Sequence, residues 1–389
     1  MYLLNETPDE QRWPHGMQPV VVLPKLDATI DRFGTLVLSR FEQLEASMDR
    51  RTKTSNAVSY ATALTRRICR LTADPTFIDE TRVDLTATGI IDAVQRHDNA
   101  VLFDWLIQAL SYQGVSDAVA SGYMEEHGCV TASEIDAGMQ RTKLCPKLRS
   151  YWHFEDCGYR KWIGSCSMPK QYRRCPVPAH DMRNGRLNQT AYSLYLFMRD
   201  IAQDDLVSWI DRRLEAADGP THNRPARLAA AVLEPFTHIY GVSDKVVSMS
   251  LAGLLLAGDH DRERWRTAGG AMIAIDTLVH NWMHRTGILD RFNSRHLYGP
   301  HCYRASSCAD IVRLVSARID ARRFNPDFPK DFPRLVQHAI WSFCAQSGLD
   351  ICNGNQIDDR KHCELKHCPL YGRCGRMALQ QPGPSPALN

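Results

Sequence analysis

Apolar side chains recur every three to four residues along most of this chain, the period that gathers them on one face of a helix. Ile30, Phe33, Leu36, Leu38, Phe41 and Leu44, then Val58, Ala61, Leu64 and Ile68, predict helix over 26–71. Shorter helical patterns follow at 84–96, 99–112 and 115–126; the second carries Leu102, Trp105, Leu106, Ala109 and Leu110. The pattern breaks over 142–186, a stretch rich in Cys, Pro, aromatic and basic residues that reads as a long ordered insertion. It returns at 187–202, 206–216, 227–236, 245–256, 272–285, 309–321 and 334–347. Pro220 and Pro225 mark one loop, Gly258–Gly270 reads as another, and three prolines punctuate Phe324–Pro333. Strand-like alternation is almost absent, Val20–Leu23 being too short to count, so the expected fold class is all-α. Residues 1–25 read as an irregular lead and the Pro-rich 377–389 as a disordered tail.

Composition adds limits. A chain of 389 residues has room for two or three helical subdomains, and 44% apolar with 23% charged side chains is an ordinary globular balance. No run of about eighteen apolar residues is present, so no membrane span is expected. The acidic start lacks the basic-then-apolar form of a secretory leader, and none is expected. The net charge of +3 says little by itself, but residues 139–186 hold eleven Lys/Arg against three Asp/Glu. A local cationic surface of this kind attracts phosphate. Tyr151, Trp152, His153, Phe154, Tyr159, Trp162 and Tyr172 are interleaved with those cations. They suit either stacking on unpaired bases or a small core for the insertion itself.

Thirteen cysteines in a chain with no expected leader favour metal over disulfides. Nine fall in two clusters, and Cys69, Cys129, Cys302 and Cys308 read as ordinary thiols. The C-terminal cluster runs Cys352-x10-Cys363-x4-Cys368-x5-Cys374, with Cys344 competing for the first place. Four thiolates suit a [4Fe–4S] cluster and also suit zinc. The other cluster, Cys145, Cys157, Cys166 and Cys175, has no CxxC pair and is a candidate second metal centre, zinc or iron–sulfur.

Within 233–256 an apolar helix reaches Ile239-Tyr240, turns at Gly241-Val242-Ser243 and restarts at Lys245. Gly241 supplies a tight turn, Val242 plugs the space between helices, and Ser243 opens a helix N-terminus able to hold a phosphate. Downstream comes Ile275-Asp276-Thr277-Leu278-Val279; upstream lie Leu110-Ser111-Tyr112-Gln113 and Gly185-Arg186-Leu187. In order, these four landmarks resemble the helix-hairpin-helix DNA glycosylase superfamily, endonuclease III and the adenine glycosylase in particular. Cys363-Glu364-Leu365-Lys366-His367-Cys368-Pro369-Leu370 resembles their C-terminal iron–sulfur loop. Tyr240 and Ser243 stand where the family has proline and glycine.

The resemblance covers roughly 100–375. It implies two helical subdomains flanking a DNA-binding cleft: a barrel domain over 97–269, a cluster-side domain from 26–96 plus 270–350, and an iron–sulfur loop at 351–376. It implies a monomer acting on double-stranded DNA with a flipped base, in the cytoplasm beside the nucleoid of a bacterium or phage-infected cell. Lys245 takes the family position of the lysine that attacks sugar C1′, forms a Schiff base and supports strand cleavage; the plainer reading is a phosphate-binding lysine. Asp276 takes the position of the carboxylate that stabilises positive charge on the sugar; the plainer reading is a helix N-cap. Gln113 would enter the duplex where the base has left, or lie on the surface. Tyr192, Tyr195, His280 and Trp282 are candidate pocket-lining residues by proximity alone. Group transfer to an extruded base, and DNA-structure binding without catalysis, are the alternative functions.

Overall fold

The computed structural model of the protein describes residues 53–140, 145–168, 175–220 and 223–380. The lead over 1–25, the first part of the 26–71 pattern, Tyr172 and the tail beyond 380 lie outside the described residues. No helix among the described residues is long and apolar enough to cross a membrane.

The fold is mostly helical. Helix α1 (Lys53–Thr72) buries Ala57, Val58, Ala61, Leu64 and Ile68 along one face, as the spacing predicts. The 84–96 pattern becomes two helices, α2 (Phe77–Ala87) and α3 (Ile90–Arg96), broken at Gly89, whose φ of 74° suits glycine. Asp98 caps α4 (Asn99–Leu110) by accepting from the Val101 amide. After α5 (Asp117–His127), a Thr131–Glu134 capping box opens α6 (Ala132–Met139), a helix too short for its period to stand out in the sequence. The insertion contains a helical turn, α7 (Tyr151–Phe154), and a two-stranded antiparallel hairpin, β1 (Tyr159–Arg160) with β2 (Ser165–Cys166). Tyr159 lies opposite Cys166 in its register.

Beyond it run α8 (Asn188–Leu196), which passes into a π-helical turn at Phe197–Ile201, then α9 (Leu206–Ala217), α10 (Arg224–Thr237) and α11 (Asp244–Ala257). Gly258–Gly270 is not a loop: α12 (Glu263–Ala271) forms there, with Trp265 buried and its indole N–H donating to Asp211 at 2.6 Å. The helix expected over 272–285 starts only at Thr277, as α13 (Thr277–Arg285), because Asp276 caps it. The chain finishes with α14 (Ile288–Arg291), α15 (Cys308–Ser316) and α16 (Pro333–Cys344).

Two cores result. One gathers α2–α4, α6 and α8–α12 around Phe103, Tyr192, Phe197, Phe236, Leu251 and Trp265. The other gathers α1, α13, α15 and α16 around Leu64, Ile68, Trp282, Val312 and Phe343. Full burial of each such side chain is worth about 1.5–3 kcal/mol. Within 77–96, Leu85, Ile90, Ile91 and Val94 are buried in the first core. Residues within 377–380 hydrogen-bond back to the chain. The Met377 amide donates to the Arg285 carbonyl at 2.7 Å, and those of Leu379 and Gln380 to the Asp359 carbonyl at 2.8 and 2.9 Å.

Candidate functional site

Between α10 and α11 the chain turns through 238–243. Gly241 sits at the turn with φ 75°, and a Cβ there would lie 3.0 Å from Thr190 Oγ1. Val242 packs on the first core. Ser243 is extended (φ −107°, ψ 146°), and its hydroxyl makes no cap bond, so the first-turn amides of α11 have no side-chain cap. Gly241→Ala is expected to lower stability by about 1–2 kcal/mol through left-handed strain, with the Thr190 contact adding to it. Denaturant unfolding measures this, and an unchanged midpoint would contradict the strained turn.

This turn forms one side of a cleft of about 1380 Å³ lined by residues of both cores. Gln113–Ser116 and Gly241–Val246 line it, as do Ala274–Leu278, Tyr298–Pro300 and Tyr303, with Arg334, Gln337, His338 and Trp341 from α16. Gln113, Gly241, Val242, Ser243, Lys245 and Asp276 therefore share a single opening, although 163 positions separate the first from the last.

Asp276 has both of its anticipated placements at once. Its carboxylate caps α13, accepting the Val279 amide at 2.8 Å, and it also faces the cleft. Burial raises its pKa, against the opposing pull of the Val279 amide and the Lys245 charge. Lys245, in the first turn of α11, is half-buried and near enough to exert that pull. Asp244 beside it is raised by burial as well, so two hindered carboxyls line the same cleft.

Gln113 does not project freely. Its side-chain amide donates to the Gly241 carbonyl at 2.6 Å, latching the α4–α5 loop to the hairpin, and its Oε1 is buried without a partner. Arg183 holds the same loop by donating to the Gln113 carbonyl at 2.5 Å.

Several cleft residues escaped the sequence reading. Burial brings the Arg334 guanidinium down to about 10, and it donates to Gln337 Oε1. Tyr303 accepts the Ile275 amide at 2.8 Å, one residue before Asp276. His338, driven down to about 4 by burial and by Arg334, stacks on Trp341 at 5.5 Å. In sequence these belong to an amphipathic helix and a loop, and nothing local marks them. Conversely, Tyr192, Tyr195 and Trp282 do not line the cleft. Tyr192 is buried against His180 at 2.8 Å, Tyr195 donates to Asp136, and Trp282 is core.

Away from the cleft, Cys352, Cys363, Cys368 and Cys374 line one cavity with Trp282 and Arg285. Cys344 does not line it; it is wholly buried and shares a hydrogen bond with Cys352. Arg285 is only 1% exposed, and its Nε and Nη1, like Trp282 Nε1, are buried without a partner. Among the described residues, the four sulfurs do not form a group whose donor atoms all come within 4.8 Å of one another.

The insertion's cysteines also converge. Burial pushes the Cys145, Cys157 and Cys175 thiols up, and neighbouring cysteines, Cys166 among them, lie near enough to add to it. Each sulfur meets an amide N–H two residues on, from Lys147, Tyr159, Met168 and Val177 respectively. Around them, the aromatic residues divide into buried and exposed. Phe154 and Tyr159 are buried, whereas Trp152 and Trp162 are 65% and 75% exposed, with Lys161 and Arg186 against the Trp162 ring.

A third donor group has no counterpart in the sequence reading. His280, His296, Cys302 and Cys308 bring four ligand atoms within 4.8 Å of one another, so Cys302 and Cys308 lie against imidazoles and His280 does not line the cleft. This group could hold a metal ion. Its spacing, His-x15-His-x5-Cys-x5-Cys, offers no tight pair for sequence reading to catch.

Compared with protein-family models, with curated protein sequences and with solved structures, the chain matches none.

Proposed function

We propose that this chain is a DNA glycosylase that extrudes a damaged or modified base from duplex DNA into the cleft and cleaves its N-glycosidic bond. The observation that carries the reading is the sharing of one cleft by Lys245, Asp276, the Gly241 turn and Gln113. In this reading the turn and the first amides of α11 hold a phosphate, and Tyr298, Tyr303, His338 and Trp341 offer faces to the extruded nucleotide. As the C1′–N bond breaks, the base leaves with the electron pair and the sugar gains positive charge. The Asp276 carboxylate, fixed by its cap bond, stabilises that charge. The Lys245 amine then bonds to C1′ and gives up a proton to the departing base; the C1′–O4′ bond breaks, O4′ taking a second proton, to leave a Schiff base, and loss of a C2′ proton then expels the 3′ phosphate with the C3′–O electron pair.

The C-terminal thiols fit a [4Fe–4S] cluster, held by Cys352, Cys363, Cys368 and Cys374 and serving as a structural anchor for the basic loop. Arg285 and Trp282 supply unpartnered buried N–H groups beside these thiols, donors suited to the anionic sulfurs of a bound cluster. The insertion's thiols suit a second metal centre, because amides aimed at sulfur stabilise thiolates. Cys352→Ser with Cys363→Ser is expected to remove about four irons per chain, and Cys344→Ser to remove none. Iron and acid-labile sulfide assays on anaerobically purified protein check this; zinc in place of iron, or loss with Cys344→Ser, would overturn it.

A second reading, transfer of a group to the extruded base, draws on Arg334, a hindered cation inside the cleft suited to an anionic leaving group. Duplexes carrying a panel of modified bases separate the two readings by mass spectrometry. Excision yields free base and an abasic site, whereas transfer changes the base's mass with the backbone intact. Binding with neither product would leave only a DNA-structure-binding role.

A further inference from the structure

We propose that His280, His296, Cys302 and Cys308 bind a zinc ion whose role is to brace one wall of the cleft. The donors come from four places in the chain: α13, the loop after α14, the turn Pro300–Tyr303 and the first residue of α15. Cys302 and Cys308 are fully buried and His280 is 4% exposed, so three donors are already withdrawn from water.

The distances suit a tetrahedral ion. Cys308 Sγ lies 3.4 Å from His280 Nδ1 and 3.3 Å from His296 Nε2, and Cys302 Sγ lies 3.5 Å from His280 Nδ1. A tetrahedron with zinc–sulfur bonds of about 2.3 Å and zinc–nitrogen bonds of about 2.0–2.1 Å has sulfur-to-nitrogen edges of about 3.5 Å. His296 is also oriented as a ligand. Its Nδ1–H donates to the Ser294 carbonyl at 2.7 Å, which fixes the neutral tautomer and turns the Nε2 lone pair toward the sulfurs. Two thiolates and two imidazoles select zinc over harder cations, and four protein donors close the site to substrate, as in structural centres.

What the ion would hold follows from the chain path. The ligands bracket 296–308, and the residues between them include Tyr298, Gly299, Pro300 and Tyr303 of the cleft wall. Tyr303 in turn accepts the amide next to Asp276. Four-donor closure of this segment onto α13 would fix that wall at a cost in flexibility the loop's own contacts do not impose.

The test uses the full chain and does not depend on any DNA reaction. Metal analysis of purified wild-type protein and of Cys302→Ser/Cys308→Ser is expected to show a loss of about one zinc per chain in the variant, with iron unchanged. Limited trypsin cleavage at Arg295 and Arg304 is expected to quicken on the order of tenfold or more. Because the double variant could fail to fold, His296→Cys serves as a second probe. In cobalt-grown protein it should keep the ion and shift the visible absorption toward that of a three-thiolate site. Equal zinc in wild type and double variant, or a cobalt spectrum unmoved by His296→Cys, would overturn the proposal and leave two buried thiols hydrogen-bonded to imidazoles.

Discussion

Asp276→Asn is expected to slow base release by about 10²–10³-fold while leaving the fold intact. The two effects separate because the proposed reaction gives Asp276 a second role beside its cap. As the cap of α13 it accepts the Val279 amide, and an asparagine oxygen accepts that bond about as well. In the proposed reaction it would meet developing positive charge as an anion facing the cleft, which a neutral amide cannot offset. The stability side has a definite sign. Burial holds the folded carboxyl above its ordinary value, so the protonated form favours the fold. This group's contribution is therefore best below the usual carboxylate range and declines as pH rises through the raised folded value. Asparagine, always neutral, escapes that decline, and Asp276→Asn should unfold at an equal or higher denaturant concentration than wild type at neutral pH. Wild-type base release should also fall off on acidification at a higher pH than an unperturbed aspartate would give. Lost activity accompanied by lost stability would reduce Asp276 to its capping role.

Lys245→Gln is expected to abolish the covalent adduct that borohydride traps between the protein and duplex DNA carrying an abasic site. Only an amine forms the Schiff base that borohydride reduces, and glutamine keeps much of the side chain's length without the nitrogen's nucleophilicity. Removing the charge should also reduce the slope of log affinity against log salt by about 1. An adduct of undiminished yield would assign the chemistry to another amine. A wild-type protein that gives no adduct but still releases base would assign Lys245 to phosphate binding and the cleavage to water.

Much of the molecule was legible in the sequence. The apolar period of Val58, Ala61, Leu64 and Ile68, or of Leu102, Leu106 and Leu110, reports a buried face directly, so helices of three or more turns stood out. Boundaries were less legible where a single polar residue decides them: Asp276 cuts short the helical pattern that its apolar neighbours continue. The stretch 258–270 misled because its glycines look like breakers, yet Gly269 and Gly270 are helical and lie tight against α11 and Phe332. Within the cleft, residues in one short run could be grouped by sequence, as with Gly241 to Lys245. Arg334, Tyr303 and His338 could not, since only the packing of α16 and the 296–303 loop against the hairpin side brings them in. The same holds for the His280 group, whose donors are separated by five to fifteen residues and meet only in three dimensions.

The identity of the substrate base need not be known to test the cleft itself. A duplex carrying a cationic pyrrolidine in place of one nucleotide mimics the charged sugar that Asp276 and its surroundings are proposed to stabilise. Its affinity for the full chain, measured beside that of the unmodified duplex at fixed salt, should be at least about 100-fold higher, and Asp276→Asn should erase most of that preference. Equal affinity for the two duplexes, in a protein that folds, would contradict a sugar-cation site between positions 245 and 276.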